Sequence, residues 1–301
     1  MSVLAVTGGT GFVGGAVLRL AAERGHSIRA LTRRPQPPRD GTEWVAGTLS
    51  DAPALAALVA GADAVLHIAG VVNAPDRAGF VHGNIDGTRA MLEAAAFAGV
   101  QRFVHISSLS AREPQLSTYG WSKAEGDALV QASDRDFTIV RPPAIYGPGD
   151  LEMLDLFRMA KKGVVALPPP GKFSAIHVDD LARLLIALAE APGDRATYEA
   201  DDETRGGWTH VEFAQALGRA VGQRVMPLSL PRGILALGAK LDRLVRGDKA
   251  KLTPDRVGYL SHPDWTIDPA HRPPVSLWSP QVPTPQGLAA TAMWYRAQGL
   301  L

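Results

Sequence analysis

No cysteine occurs anywhere in the chain, which excludes disulfides, thiolate metal sites and cysteine nucleophiles outright. An excess of charge of one sign is also missing, since 31 basic residues face 30 acidic ones for a formal net charge of +1. That balance gives no reason to expect nucleic acid or an anionic membrane as partner. Long hydrophobic runs are absent too. The apolar N-terminal run, residues 1–7, is too short for a secretory signal and stops at Gly8-Gly9. The longest apolar stretch near the C-terminal end, residues 233–245, is broken by Lys240, Asp242 and Arg243 and cannot span a bilayer. A soluble, cytoplasmic chain without an integral membrane segment is expected. His26, His67, His82, His105 and His177 are scattered without paired-ligand spacing, so no metal site is expected.

What is present is a pattern. With 301 residues, 46% of them hydrophobic, the chain can bury a sizeable core as one large α/β domain or two smaller units. Short β-branched runs at 3–7, 27–32, 43–46, 64–68, 102–107 and 137–141 alternate with helical patterns at 11–24, 52–59, 84–98 and 119–132. Such alternation implies right-handed crossovers and a parallel sheet covered on both faces. After Tyr146 the character changes. Gly147-Pro148-Gly149 and Pro168-Pro169-Pro170-Gly171 are breakers, helices are expected at 178–189 and 209–221, and a late strand at 197–200. A Pro-rich stretch precedes a last helix at 284–298. The dinucleotide-binding domain is placed at 1–148, with 173–200 returning to it, and a smaller, loop-rich cap at 149–172 and 201–301. Within that cap Trp265, Trp278 and Trp294 read as core filling, and the amphipathic segment 234–245 as simple packing.

Thr7-Gly8-Gly9-Thr10-Gly11-Phe12-Val13-Gly14 directly follows the first strand and opens the first helix. Glycines at Gly8, Gly11 and Gly14 suit a tight turn, close approach of backbone to a pyrophosphate, and close helix–sheet packing. The helix N-terminus then offers unpaired N–H groups and a positive dipole end. A site that prefers NAD(H) usually carries a carboxylate at the tip of the second strand. Here that tip reads Leu31-Thr32-Arg33-Arg34, and two guanidiniums suit a 2′-phosphate, so NADP(H) is preferred with NAD(H) left open.

Residues 102–108 read as a buried-type strand ending in the two hydroxyls of Ser107 and Ser108, at the carboxyl edge where ligands of open parallel sheets collect. Eleven residues beyond Ser108 lies Tyr119-Gly120-Trp121-Ser122-Lys123. Positions i and i+4 share a helix face, so phenol and ammonium come together. A nearby positive charge lowers a tyrosine pKa from its usual value of about 10 and fits it for acid/base work on a carbonyl or alcohol. A serine hydroxyl would hold the substrate oxygen. Asp179-Asp180, adjacent on a helix, read as capping residues rather than a catalytic pair.

The sequence resembles the extended short-chain dehydrogenase/reductase superfamily, also called the NAD-dependent epimerase/dehydratase family, over most of its length. Besides the glycine loop, His67-Ile68-Ala69-Gly70, Asn84-Ile85-Asp86-Gly87-Thr88, Arg141-Pro142-Pro143-Ala144-Ile145-Tyr146-Gly147-Pro148-Gly149 and His177-Val178-Asp179-Asp180 are similar to family motifs. The resemblance implies a Rossmann-type doubly wound parallel sheet with a C-terminal substrate cap. It implies Ser108 as catalytic serine, Tyr119 as acid/base and Lys123 as its partner, with Asn84 supporting the site through water. Cofactor contacts are implied at Gly8, Thr10, Gly11, Phe12, Val13, Gly14, Arg33, Arg34, Thr48, Leu49, Ala69, Gly70, Ser107, Tyr119, Lys123, Pro142, Ala144 and Ile145. The chain departs from the family where Thr48-Leu49 replaces the frequent Asp-Leu, although Asp51 is near. Leu109-Ser110-Ala111 also replaces the acidic residues of dehydratases, which disfavours dehydration of a sugar nucleotide. The short interval from Ser108 to Tyr119 resembles compact, atypical members. The expected activity is hydride transfer between NADP(H) and a small-molecule carbonyl or alcohol. Epimerisation of a sugar nucleotide and a non-catalytic NADPH sensor or assembly factor are the alternatives, and a homodimer is left open.

Overall fold

Val3–Thr7, the first strand, is buried from its second residue onward, the mark of a strand covered on both faces rather than one. The computed structural model describes residues 1–247, 250 and 252–301. In chain order the elements are β1 (Val3–Thr7), α1 (Phe12–Glu23), β2 (Ser27–Thr32), β3 (Thr42–Ala46), α2 (Ala52–Val59), β4 (Ala64–His67) and α3 (Arg77–Phe80). A π-helical stretch (Val81–Asp86) leads into α4 (Gly87–Phe97), followed by β5 (Arg102–Ile106), two 3-10 turns, α5 (Thr118–Ala132) and β6 (Asp136–Val140). Then come β7 (Ala144–Tyr146), α6 (Leu154–Lys161), β8 (Val164–Leu167), β9 (Lys172–Phe173), β10 (Ala175–His177), α7 (Val178–Glu190) and β11 (Thr197–Tyr198). The chain closes with β12 (Trp208–Thr209), α8 (His210–Val221), β13 (Met226–Ser229), α9 (Arg232–Arg246), α10 (Pro254–Leu260), β14 (Asp264–Trp265) and α11 (Thr284–Ala297).

Two units emerge. The first comprises Met1–Pro142, Asp179–Ala200 and Ala270–Ser279. Its sheet has seven strands in the order β11-β6-β5-β4-β1-β2-β3, parallel throughout. The order reverses between β1 and β4, and the crevice at the carboxyl ends of such a reversal is where open α/β sheets bind ligands. This is the doubly wound, Rossmann-like fold. Leu55, Leu58, Met91, Phe103 and Ile139 pack one face of the sheet, each worth about 1.5–3 kcal/mol on burial. Helix starts follow local chemistry: Asp51 caps α2 and Ser117 caps α5, each accepting a backbone N–H three residues on.

The helix expected from residue 84 begins as regular α-helix only at Gly87, behind the π-helical turn 81–86. The cause is Asn84, whose amide accepts from Val71 N at 2.7 Å and donates to Val71 O at 2.9 Å. Holding that side chain against another strand's exit widens the turn, as single π turns at functional sites do. Close packing there requires glycine, because a Cβ on Gly83 would lie 2.3 Å from Val71 Cγ2.

The second unit comprises Pro143–Val178, Asp201–Pro269 and Pro280–Leu301. It holds three small sheets, β10-β7, β12-β9-β14 and β13-β8. Helices α6, α8 and α11 enclose a core built on Phe157, Leu217 and Tyr295, with the Phe157 and Tyr295 rings 5.0 Å apart edge to face. A full capping box of Thr209 and Glu212 starts α8, and left-handed Gly222 ends it. Tyr146 donates to Thr284 Oγ1 at 3.0 Å inside this core. Among the described residues no helix is long and apolar enough to cross a membrane, and no group of three or more His, Asp or Glu could hold a metal ion.

Candidate active site

The glycine loop is shaped by what it leaves out. Gly8 has φ +75°, and a Cβ there would lie 2.7 Å from Ala69 N, so β1's exit and β4's exit touch backbone to backbone. A Cβ on Gly14 would fall 2.0 Å from Gly8 O. Gly11 N donates to Gly8 O at 2.9 Å and closes the turn. No side chain caps α1 and no acidic residue sits in its first turn, which leaves its amides and positive end for an anion. This cradle fits the pyrophosphate of a dinucleotide. Thr10 is exposed, with Phe12 and Val13 half-buried beside it.

At the tip of β2, Thr32 Oγ1 donates to Arg34 O at 2.6 Å and accepts from Arg34 N at 3.3 Å. The turn is thereby pinned while both guanidiniums, Arg33 and Arg34, remain exposed. Arg39, which sequence reasoning missed, donates to Gly15 O on α1 at 3.3 Å. Thr48 Oγ1 bonds Ser50 Oγ at 2.9 Å. Asp51 is committed to capping α2, with Oδ1 3.1 Å from Ala54 N. Leu49 packs on Gly87, where a Cβ would lie 2.6 Å from Leu49 Cδ1.

Beneath β4's end runs an ordered chain of hydroxyls. Thr88 Oγ1 donates its single proton to Asn84 O at 2.7 Å, so it must accept from His67 Nε2 at 3.2 Å. His67 Nδ1 is then the acceptor for Thr7 Oγ1 at 2.8 Å, and Thr7 in turn accepts from Ala69 N at 3.2 Å. Burial, and next the charge of Lys123, push the His67 imidazole down to about 3. His105 stacks on it at 5.5 Å and is held well below its ordinary value by burial first and Lys123 second. Both rings are neutral.

Helix α5 carries both Tyr119 and Lys123. Gly120 lets its first turn press on the loop after Ser108, since a Cβ there would lie 2.6 Å from Ser110 O. Ser108 Oγ accepts from Ser110 N at 3.2 Å and from Ser110 Oγ at 2.9 Å, which leaves its own proton to donate. Tyr119 is half-buried beside Phe80, with ring centroids 6.3 Å apart. One turn on, Lys123 is buried and donates to Ile106 O at 2.6 Å. A Cβ on Gly70 would come within 3.6 Å of Lys123 Nζ and 3.1 Å of Asn84 Oδ1, so Gly70, Asn84 and Lys123 converge. Asn84 Nδ2 also reaches Ser122 Oγ at 2.8 Å, and Ser122 donates to Tyr119 O at 2.8 Å. Burial pushes the Lys123 amine down to about 8, against the pull of Asp127.

Asp127, a further turn along α5, was also missed, although Tyr119, Lys123 and Asp127 repeat at i, i+4 and i+8, a spacing that shares one face. Its carboxylate accepts from Arg141 Nε at 2.9 Å and lies 3.5 Å from His105 Nε2. Burial raises its pKa, opposed first by Arg141. Pro142 accepts from Leu109 N at 3.0 Å, beside the Ser108 turn, and Ser107 is buried with its N–H 2.8 Å from Val140 O. Ala144 and Ile145 lie on β7 of the second unit, in register with Ala175 and Ile176 of β10. Asp179 pairs with Arg19, and Asp180 with Arg183.

A sequence model described as the NAD dependent epimerase/dehydratase family matches residues 4–200. The chain is 39% identical to a ceramide reductase of Caulobacter vibrioides, with 99% of this chain and 96% of that one covered. Among solved structures it is similar to MoeE5 in complex with UDP-glucose and NAD, at TM-score 0.76 and 21% identity over 99% of both chains. It is likewise similar to human epimerase family protein SDR39U1 with NADPH, at TM-score 0.76 and 20% identity over 97% of this chain and 99% of that one. At these identities the two structures speak for the fold alone.

Proposed function

The chain belongs to the NAD dependent epimerase/dehydratase family, and from that premise we propose that it is an NADP(H)-dependent reductase of a long-chain, ceramide-type ketone. The observation that carries this reading is the placement of Lys123, a buried ammonium one helical turn from Tyr119 and anchored on Ile106 O. A binding protein needs the glycine cradle but not a desolvated amine one helical turn from a tyrosine.

The glycine cradle would hold NADPH, which would supply the hydride for the carbonyl carbon. Ser108, its acceptor capacity spent on Ser110, donates its proton toward the substrate oxygen and orients it. The Tyr119 hydroxyl gives its proton to that oxygen as the alcohol forms. The Lys123 ammonium steadies the phenolate left behind, which a proton from solvent then restores. Asn84 fixes Ser122, and Ser122 fixes the carbonyl of Tyr119.

The 2′-phosphate preference rests on Arg33 and Arg34, which are exposed and, among the described residues, pair with no carboxylate. The substrate class rests on the near full-length likeness to a ceramide reductase. Spectrophotometry with NADPH and a long-chain keto-ceramide tests it, with one NADPH expected to be consumed per alcohol formed. Isomerised product without net cofactor consumption would replace this reading with an epimerase, and no turnover over a broad panel of ketones would replace it with a sensor.

A further inference from the structure

Helix α9 has two apolar faces and covers only one of them. At 3.6 residues per turn, Leu235, Ala236 and Ala239 fall on one side, while Ile234, Leu237, Leu241, Leu244 and Val245 share an arc of roughly 100° on the other. The first side is packed. Ala239 is fully buried, Gly238 leaves room for Leu252, and Asp242 accepts from Leu252 N at 2.9 Å. The second side is bare, and Leu244 and Val245 are 81% and 83% exposed. No charged residue of α9 falls within that arc. An uninterrupted aliphatic stripe of this kind marks a docking surface rather than the scattered apolar exposure normal for a protein.

The charge around the stripe identifies what it meets. Residues 232–251 hold six Lys or Arg against two Asp, a net +4 in a chain whose total is only +1. The balance of the whole chain therefore conceals a local basic segment. Lys240 stands exposed at the edge of the stripe, and Arg232 and Arg246 are exposed at the two ends of α9. A two-fold contact with a second copy would set this basic segment against itself. An anionic surface complements it. From Ile234 to Val245 the stripe is about 16 Å long, half of what a membrane span needs, so it lies along an interface and does not cross it.

We propose that α9 docks on an anionic lipid bilayer. The stripe Ile234, Leu237, Leu241, Leu244 and Val245 enters the boundary between headgroups and acyl chains, and Lys240 and the basic helix ends meet lipid phosphates.

The test is co-sedimentation of the full chain with vesicles of three parts phosphatidylcholine to one part phosphatidylglycerol, beside pure phosphatidylcholine, at low and high salt. The expected result is binding to the anionic vesicles that weakens at high salt, with partitioning at least tenfold lower in the double variant Leu241→Gln/Leu244→Gln. That variant keeps its NADPH affinity and its turnover of a water-soluble ketone. If it fails to fold, Lys240→Gln serves instead, and its selectivity for anionic over neutral vesicles is expected to fall. Native protein left in the supernatant with anionic vesicles overturns the proposal. So does a dimer in light scattering that the double variant converts to monomer without any vesicle binding. Binding is read without turnover, so it stands or falls apart from the reductase reading.

Discussion

Lys123 and Ile106 are joined by a 2.6 Å hydrogen bond from the buried ammonium to the last carbonyl of β5. The strand that leads into Ser107-Ser108 and the helix that carries Tyr119 are thus held by the residue that would tune the phenol. Positioning and electrostatics would then reside in one side chain.

Tyr119→Phe keeps the ring beside Phe80 and removes only the hydroxyl. Turnover is expected to fall on the order of 10²–10⁴-fold, with NADPH affinity nearly unchanged in fluorescence titration. Undiminished turnover would take Tyr119 out of the mechanism.

The Lys123 amine, lowered from its ordinary 10.5 to about 8 by burial, gives pH predictions of definite sign. Between pH 8 and 10.5 the unfolded chain holds a proton that the folded one has released, so this residue's contribution to stability rises with pH. It amounts to about 3 kcal/mol across the window, at 1.36 kcal/mol per pKa unit. Lys123→Met removes the effect, and the gap between the two thermal midpoints is expected to shift toward the native protein as pH rises. Ketone reduction is expected to decline above pH 8 as the ammonium is lost.

Asp127 opposes that depression of the Lys123 pKa. In Asp127→Asn the amine loses its opposing carboxylate, so the alkaline limb of the rate profile is expected to move to lower pH. A merely structural aspartate would lower stability and leave that limb where it was.

Arg33→Ala and Arg34→Ala are each expected to weaken NADPH by roughly tenfold, about 1.4 kcal/mol, and to leave NADH unaffected. Equal losses for both cofactors would show that neither guanidinium reads the 2′-phosphate.

Adjacent glycines in α1 should behave oppositely. A Cβ on Gly14 would meet Gly8 O at 2.0 Å, whereas one on Gly15 would meet nothing within 4 Å. Gly14→Ala is expected to cost on the order of 1–3 kcal/mol or more and to abolish cofactor binding. Gly15→Ala is expected to stabilise the apo protein by up to about 1 kcal/mol through helix propensity. Thermal melts of the two variants side by side decide it.

The turn of the glycine loop, the strand leading into Ser107-Ser108 and the helix carrying Tyr119 and Lys123 were legible because each depends on spacing within one or two neighbouring elements. The alternation of strands and helices likewise carried the parallel sheet. Less legible were features set by distant partners. The π-helical turn around Asn84 depends on Val71 across a loop, and the Asp127–Arg141 contact joins α5 to the exit of β6. Helix α9 shows the limit from the other side. Its amphipathic pattern was visible, but two apolar faces compete for burial and only the packing around Ala239 decides which one is covered.

The sheet's outermost strand on the β6 side has a consequence for biosynthesis. β11 is two residues long and pairs with Ile139 and Val140, both fully buried. Between β6 and its guard the chain makes an excursion through β7 to β10 and returns by α7. A nascent chain that stalls before residue 197 therefore displays a bare apolar strand, the arrangement that templates aggregation between molecules. Two late residues blunt that hazard, and trimming them would turn a folding intermediate into a nucleus for precipitation.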